Sequence, residues 1–237
     1  MNGKVAMINS KDNTQIKYLK KLKMKKYRDK YGEFLVFGEH LISEAKAYGE
    51  VINIYTTNNA LEGVLISKDI MKELSDHVSL TERLALVKKV DKSIDSNKVL
   101  VLEDIQDPAN VGSLLRSALA FGFKKVFLSN VSADVYNDKV LRASQGAFFQ
   151  LDIERVDIKE TLKKLKSEGY NIVATTLGGS NKIKESEKLA LVLGNEGSGI
   201  SLDVIKLSDQ VVTIKTSGVE SLNVLVAGSI LMYEVSK

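Results

Sequence analysis

The spacing of apolar residues in the first part of the chain predicts a small unit of alternating helices and strands. In the basic segment over residues 16–30, apolar residues recur at helical spacing and predict a single helix. The apolar stripe of this helix is Ile16, Leu19, Leu22 and Tyr27. The other predicted elements are a strand over 34–37, a helix over 40–48, strands over 51–55 and 64–66, a helix over 68–74 and an apolar run over 84–90. Because helices and strands alternate, we expect a layered α/β domain.

A polar stretch over residues 91–98 separates this unit from a second alternating pattern. Such a stretch predicts a domain boundary, and we expect one domain over 1–92 and another over 97–237. The run 99–102 contains only Val and Leu, which is typical of a strand buried in a parallel sheet. The second domain is therefore predicted to be an open, mostly parallel α/β sheet with helices on both faces. Its predicted strands are 99–102, 125–128, 171–177, 189–193 and 210–214, its extended segment is 148–153, and its helices are 110–121, 138–144, 158–168 and 221–235.

Three loops that follow predicted strands hold the polar and glycine residues that suggest a binding site. They are the proline loop (residues 103–112), the glycine loop (194–200) and the serine loop (215–223). In an open parallel sheet, ligands bind at the carboxyl ends of the strands, so these loops are expected to form one site. The order of glycines over 194–199 fits neither a dinucleotide-binding fingerprint nor a P-loop, which argues against a nucleotide-dependent dehydrogenase.

Several side chains in these loops have both a structural and a functional interpretation. Asn110 is predicted to cap its helix, and Ser221 is predicted to cap the final helix. Arg116 is either a surface arginine in an ion pair or a residue of the site. Gly194 is expected to leave room for a ligand beside the backbone. Glu196 is expected to have a partner, because it lies at a tight strand end.

The composition narrows the possible chemistry. The chain has 237 residues, of which 44% are hydrophobic and 27% charged, an ordinary balance for two globular domains. The absence of cysteine excludes a disulfide framework and a thiolate metal site or nucleophile. With only His40 and His77 available, no metal site is expected. The longest apolar stretch, over 222–235, is too short and too polar to span a bilayer, so we expect a cytoplasmic protein with no membrane partner.

Positive charge is concentrated at the start of the chain. Residues 1–30 contain ten Lys or Arg and two Asp, a balance of +8, whereas the whole chain carries +4. A basic segment on a near-neutral body favours a polyanionic partner, most simply nucleic acid. A solvated helix face that only aids solubility is an equally good interpretation of the charge alone. If the segment binds RNA, the residues expected to contact phosphates are Lys17, Lys20, Lys21, Lys25, Lys26 and Arg28.

Taken together, three motifs in or next to these loops resemble those of the SpoU (TrmH-like) branch of the SPOUT RNA methyltransferases. They are N-x-G-x-x-x-R (110–116), G-x-E-G (194–197) and S-L-N (221–223), and the separate segment 142–147 is similar to the R-A-S-x-G-A stretch of the family. The resemblance covers about residues 98–237. The stretch 8–45 is similar to the ribosomal-protein L30e-like α/β domain that binds substrate ahead of many such catalytic domains. The entry to the serine loop departs from the family, because residues 214–216 read Ile-Lys-Thr in place of a sequence like Ile-Pro-Met.

The resemblance implies a fold, a cofactor and an assembly. The C-terminal sheet would contain a deep trefoil knot, and S-adenosylmethionine would bind within the knotted loops mainly through backbone groups. The chain would form a homodimer through this region. The reaction would be attack of an RNA ribose 2′-hydroxyl on the methyl group of the cofactor. The residues implied in cofactor binding are Thr175, Thr176, Leu177, Gly178, Leu193, Gly194, Asn195, Gly197, Ile214, Leu222 and Asn223.

The catalytic residues implied by the resemblance are Asn110, Arg116, Glu196, Ser221 and Asn223. The family assigns activation of the 2′-hydroxyl to Arg116. Because arginine stays protonated in proteins, orienting the hydroxyl and a phosphate is its expected role. Asn110 and Glu196 would hold Arg116 in place. Ribosomal RNA is the expected substrate, transfer RNA is the alternative, and a non-catalytic RNA-binding protein of the same fold is a further alternative.

Overall fold

The computed structural model describes residues 7–75 and 81–237 and contains two sheets. The first sheet is built from β1 (Glu33–Phe37), β2 (Glu50–Thr56), β3 (Val64–Leu65) and β4 (Arg83–Lys88) in the order β1-β4-β2-β3. Strand β4 pairs antiparallel with β1 and β2, and β2 pairs parallel with β3. The helices around this sheet are α1 (Thr14–Lys21), α2 (Lys25–Tyr31), α3 (Glu39–Tyr48) and α4 (Lys68–Leu74).

The basic segment forms two helices, so the prediction of a single helix over 16–30 is wrong. Asn13 caps α1 by accepting hydrogen bonds from the amides of Gln15 and Ile16. The chain breaks after α1 because the Arg28 guanidinium binds two carbonyl oxygens there, those of Leu22 at 2.8 Å and Lys23 at 2.7 Å. A buried arginine with such partners stabilises the bend, which no helical periodicity could indicate.

The second sheet confirms the predicted parallel sheet with helices on both faces. Its strands are β5 (Lys98–Leu102), β6 (Lys125–Leu128), β7 (Asp152–Arg155), β8 (Asn171–Ser180), β9 (Leu189–Leu193) and β10 (Gln210–Val212). They lie in the order β10-β8-β9-β5-β6-β7, and every adjacent pair is parallel. The helices of this part are α5 (Pro108–Ala120), α6 (Asp138–Ser144), α7 (Ile158–Ser167), α8 (Leu202–Leu207) and α9 (Val224–Glu234). Apolar residues of α5 and α9 cover one face, and those of α7 and α8 cover the other.

Several predicted element boundaries are wrong near the strand ends. Helix α5 begins two residues earlier than predicted, because Asp107 caps it and Pro108 occupies its first turn. Strand β8 continues to Ser180, whereas β10 ends at Val212, two residues before its predicted end. The predicted extended segment 148–153 starts instead within a short 3-10 helix (Ala147–Gln150), and α8 was not predicted at all.

The two sheets are joined by an apolar cluster and by polar contacts. Phe34 of β1 packs with Leu141 of α6 and with Phe149, which follows it. The Nζ atom of Lys92 donates to the carbonyl oxygens of Tyr48 and Phe149, and burial lowers the pKa of this lysine. The first unit is therefore packed directly against α6 and the 3-10 helix.

The described residues contain neither a helix that could span a membrane nor a cluster of metal-binding side chains. Across residues 7–75 and 81–237, no helix combines the length and the apolar character that crossing a membrane requires. Over the same residues, no group of His, Asp and Glu is arranged as a metal site. Residues 1–6, which include Lys4, lie outside the described residues, and so does His77.

Candidate active site

The three predicted loops meet at the carboxyl edge of the second sheet. The Nδ2 group of Asn110, in the proline loop, donates to Oε1 of Glu196 in the glycine loop at 2.7 Å. The Nδ2 group of Asn223, at the end of the serine loop, donates to Oδ1 of Asn110 at 3.4 Å. One polar side chain from each loop thus joins a single hydrogen-bonded chain, and Glu196 has the partner that its position predicts.

The helix caps leave the Nδ2 groups of Asn110 and Asn223 available for these hydrogen bonds. Asp107, not Asn110, caps α5, with Oδ1 accepting from the amides of Ala109 and Asn110. Asn223, not Ser221, caps α9, with Oδ1 accepting from the amide of Leu225 at 2.8 Å. Both predicted caps are therefore wrong. Asn110 lies in the first turn of α5 with its amide group directed at Glu196.

Asn195 organises the glycine loop from within. Its Oδ1 accepts from the amides of Gly197 at 2.8 Å and Ser198 at 3.1 Å, and its carbonyl oxygen accepts from the amide of Gly199. Its Nδ2 donates to the carbonyl oxygen of Asp104 at 2.8 Å. The Asn195 side chain is thus occupied in fixing the loop and joining it to the proline loop.

Gly194 is required for a reason different from the predicted one. A Cβ atom at this position would lie 2.5 Å from the carbonyl carbon of Gly199 and 2.5 Å from the amide nitrogen of Ile200. The glycine loop closes on its own backbone at this point. The space that glycine leaves is therefore filled by the loop itself.

Asp104 and Ser129, which were not predicted as site residues, stabilise the backbone of the proline loop. Asp104 has a φ of 58°, in the left-handed region that non-glycine residues seldom adopt. Ser129 supports it on two sides, because its hydroxyl donates to Asp104 Oδ1 at 2.6 Å and accepts from the Asp104 amide at 3.0 Å. Strained backbone of this kind concentrates at functional sites. No sequence signal identifies it, since Ser129 is 25 residues away along the chain.

Arg116 is exposed on α5, and within residues 7–75 and 81–237 no hydrogen bond or ion pair engages its guanidinium. Arg116 follows Asn110 by six positions on α5. It is therefore rotated about 120° around the helix axis from Asn110 and lies about 9 Å further along that axis. The prediction that Asn110 and Glu196 hold it is therefore wrong for the described chain, and so is the alternative of an ion pair. The hydroxyl of its neighbour Ser117 lies 2.8 Å from the Ser229 hydroxyl of α9, and Arg116 is turned about 100° from that contact.

The residues predicted to bind a cofactor have mixed surroundings. Thr175 is half-buried and donates to the carbonyl oxygen of Val192, whereas Leu177, two residues further along β8, is 69% exposed. Leu193 is a core residue only 1% exposed, so its side chain faces away from the surface. Over residues 214–222, no backbone amide donates to an acceptor in the described parts of the chain. The loops therefore present unpaired backbone donors beside exposed apolar groups.

The residues predicted to contact RNA phosphates divide into three groups. Lys17, Lys20 and Lys25 form exposed or half-exposed ion pairs with Asp12, Glu73 and Asp29 respectively. Lys21 and Lys26 are exposed, and the described residues hold no carboxylate within ion-pair distance of either. Arg28 is buried and ion-paired with Asp134, so its prediction as a phosphate contact is wrong.

A wholly parallel sheet with polar loops joined at its carboxyl edge defines a ligand-binding α/β protein. The model of the SpoU rRNA Methylase family matches residues 97–233, and the model of the MRM3-like substrate binding domain matches residues 13–85. The chain belongs to the SpoU rRNA methylase family, which confirms the resemblance of its motifs.

Individual relatives match almost the whole chain. The 23S rRNA (guanosine(2553)-2′-O)-methyltransferase RlmP of Bacillus subtilis is 33% identical, over 96% of this chain and 98% of its own. The crystal structure of an RNA 2′-O ribose methyltransferase has a TM-score of 0.83 at 27% identity, with 97% of this chain and 98% of that chain covered. The AdoMet complex of AviRb from Streptomyces viridochromogenes has a TM-score of 0.84 at 24% identity, over 94% and 97% of the two chains, and shows a shared fold.

Proposed function

We propose that this protein transfers the methyl group of S-adenosylmethionine to a ribose 2′-hydroxyl of RNA. The observation that carries the proposal is the hydrogen-bonded chain of Glu196, Asn110 and Asn223, which joins the three motif loops at one sheet edge. A protein that only bound RNA would not need these loops tied together. The relative from Bacillus subtilis, named as an rRNA 2′-O-methyltransferase, supports the same reaction.

The residues of the loops suit S-adenosylmethionine. The cofactor has an adenine ring and a charged amino-acid end, and it supplies an electrophilic methyl group on a sulfonium when bound. Leu177 and Val219, which are 69% and 56% exposed, offer apolar surface for a ring. The unpaired amides of 214–222 offer hydrogen bonds to polar groups. The residues proposed to hold the cofactor are 175–178, the backbone of 193–197, Ile214, Leu222 and Asn223.

Arg116 is proposed to orient the reacting ribose. Its guanidinium donates hydrogen bonds and stays protonated, so it can align the 2′-hydroxyl and an adjacent phosphate while the proton of that hydroxyl passes to water. Asn110 and Glu196 are proposed to fix the floor of the site, and Ser221 and Asn223 to complete its wall. Correct alignment of a nucleophile is by itself a large contribution to rate.

A trefoil knot at the carboxyl edge is a further part of the proposal. Strand β10 lies at one edge of the sheet, whereas α9, only a loop later, packs against α5 and Leu193 of β9. The chain therefore returns from the edge of the sheet to the face that α5 covers, and a knot in this region would use such a return. An experimental density map traced through residues 175–223 tests the threading.

A homodimer through α9 is also proposed. Three large apolar residues on this helix are exposed: Val226 at 44%, Ile230 at 43% and Tyr233 at 52%. Exposed apolar groups clustered on one helix favour a protein partner. A second copy seated on this face would bury these three side chains.

The RNA substrate is proposed to be ribosomal. The experiment is incubation of the purified chain with S-adenosylmethionine and total RNA from cells that lack the gene, followed by separation of the RNA classes and mass spectrometry of their nucleosides. We expect a 2′-O-methyl nucleoside in ribosomal RNA. If methylation were confined to transfer RNA, transfer RNA would be the substrate in place of ribosomal RNA. Tight RNA binding with no methyl transfer and no cofactor binding would favour the non-catalytic alternative.

A further inference from the structure

We propose that Tyr27 and Tyr31 of α2 form a stacking platform for an unpaired base of the RNA substrate, with Lys21, Lys26 and Lys30 neutralising the phosphates on either side. The proposal rests on the proposed function, since it names how that RNA is held. It assigns recognition to single-stranded or loop RNA rather than to a duplex.

The unpaired cations of the basic segment gather around these two rings. The Nζ atoms of Lys26 and Lys21 lie 4.9 Å and 5.8 Å from the centre of the Tyr27 ring. The Nζ atom of Lys30 lies 5.6 Å from the centre of the Tyr31 ring. Within the described chain none of these three lysines has a carboxylate partner, whereas Lys17, Lys20 and Lys25 each have one. Their charges therefore remain available to phosphates.

The two rings are arranged as a surface for a third ring. Tyr27 and Tyr31 are one helical turn apart, with ring centres separated by 6.1 Å and planes inclined by only 9°. Both are half-exposed, and in the described chain neither hydroxyl has a hydrogen-bond partner. Tyr18, which packs against Tyr31 from behind, contrasts with them because its hydroxyl donates to Glu33 at 2.5 Å. Tyr18 is thus fixed as part of the structure, and the other two retain free polar groups.

The position of the platform relates it to the candidate active site. Arg28 follows Tyr27 directly and reaches Asp134, in the turn after β6, at 2.5 Å. The next residue back in that turn, Ala133, donates its amide to the carbonyl oxygen of Ile105 in the proline loop. The buried Arg28–Asp134 pair therefore holds α2 at the same edge of the sheet as the three loops.

The chemistry of such a surface selects unpaired bases. In an A-form duplex the base faces are stacked on each other, so an aromatic ring can stack only on a base in a loop, bulge or single strand. Lysines interleaved with aromatic rings are typical of surfaces that bind single strands through phosphates and base faces together. A solvated face would need the lysines but not the paired rings.

The test uses the full chain and a short single-stranded RNA carrying one 2-aminopurine, whose fluorescence falls when it stacks. We expect the parent protein to quench the single strand and to bind the same sequence more weakly as a duplex. Tyr27→Leu and Tyr31→Leu should each raise Kd about tenfold or more and remove the quenching, whereas Tyr27→Trp should retain both. Tyr48→Leu, at an exposed tyrosine elsewhere in the same unit, is the matched control and should change neither.

The salt dependence separates stacking from charge. Lys26→Gln should reduce the slope of log Kd against log salt by about 0.7, because one phosphate contact is lost. The tyrosine variants should leave that slope unchanged. If Tyr27→Leu and Tyr31→Leu, folded by thermal melting, kept the parent Kd and quenching, the platform would be excluded even if the protein methylates RNA. If the variants lost binding but the parent transferred no methyl group, the platform would stand and the proposed function would fail.

Discussion

A single methyl group added at Gly194 is expected to open the glycine loop. The nearest atoms to an ideal Cβ there are backbone atoms of Gly199 and Ile200 at 2.5 Å, whereas ordinary contacts begin at 3.4 Å. The loop must therefore move by about 0.9 Å, since no side-chain rotation can relieve contacts with backbone atoms. Overpacking of this kind costs about 1–3 kcal/mol of folding free energy. The movement would also carry Asn195 and Glu196 away from the proline loop.

The consequence for Gly194→Ala is a loss of cofactor binding in a protein that still folds. We expect the Kd for S-adenosylmethionine to rise at least tenfold, about 1.4 kcal/mol, when measured by isothermal titration calorimetry alongside thermal melts. Gly169→Ala is the matched control: its φ of +86° strains an alanine by about 1–3 kcal/mol, but its Cβ meets no atom within 4 Å. It should lose similar stability and keep the parent Kd. A Gly194→Ala protein with the parent Kd would refute the proposed place of the cofactor.

Three further predictions concern a buried ion pair, the proposed dimer interface and the packing of α9. Asp134→Ala leaves the buried Arg28 guanidinium without its carboxylate, so it should lower the free energy of unfolding by about 3–5 kcal/mol in urea titrations. Asp134→Asn should cost less, and negligible losses for both variants would argue against the buried ion pair. Ile230→Glu, which introduces a charge on the exposed face of α9, should yield a monomer in sedimentation velocity, and a persistent dimer would locate the interface elsewhere. Gly228→Ala places a Cβ 2.5 Å from Leu193 Cδ1 and 2.8 Å from Leu114 Cδ2, which are side-chain ends that must shift within a packed core. The overpacking cost of about 1–3 kcal/mol is offset by about 1 kcal/mol of helix propensity, so thermal melts should show a loss of at most about 2 kcal/mol, and a stabilised protein would show that these side chains adjust freely.

The parallel sheet could be predicted because its signal is local. Strands β5 and β9 are continuous apolar runs, and both are almost wholly buried, as strands covered on two faces must be. The three loops could be placed at one edge because the carboxyl ends of parallel strands lie together. The hydrogen bond between Asn110 and Glu196 follows from that placement, although 86 residues separate them in sequence.

The errors arose where a tertiary contact decided between two good local solutions. Asp107 and Asn110 are both suitable caps, and Asn110 is directed to the site because Glu196 binds its amide group. The break after α1 depends on Arg28, whose partner Asp134 is 106 residues away. A count of charges could not distinguish this buried arginine from the exposed lysines near it.

If the motif residues carry out methyl transfer, Arg116→Ala should remove the activity and leave the fold and the cofactor site intact. Single-turnover transfer from S-adenosylmethionine to the unmethylated substrate RNA should slow by roughly 100-fold or more, because Arg116 is proposed to act on the reacting hydroxyl. Cofactor affinity should persist, because the proposed pocket is built from other loops. Arg116→Lys should not restore the rate, since an ammonium lacks the planar guanidinium fork. Lys163→Ala, which removes an exposed cation paired with Glu160 on α7, is the control: it should cost at most about 1 kcal/mol of stability and leave the transfer rate unchanged. We expect a folded, cofactor-binding and nearly inactive Arg116→Ala protein, and transfer at close to the parent rate would show that Arg116 takes no part in the reaction.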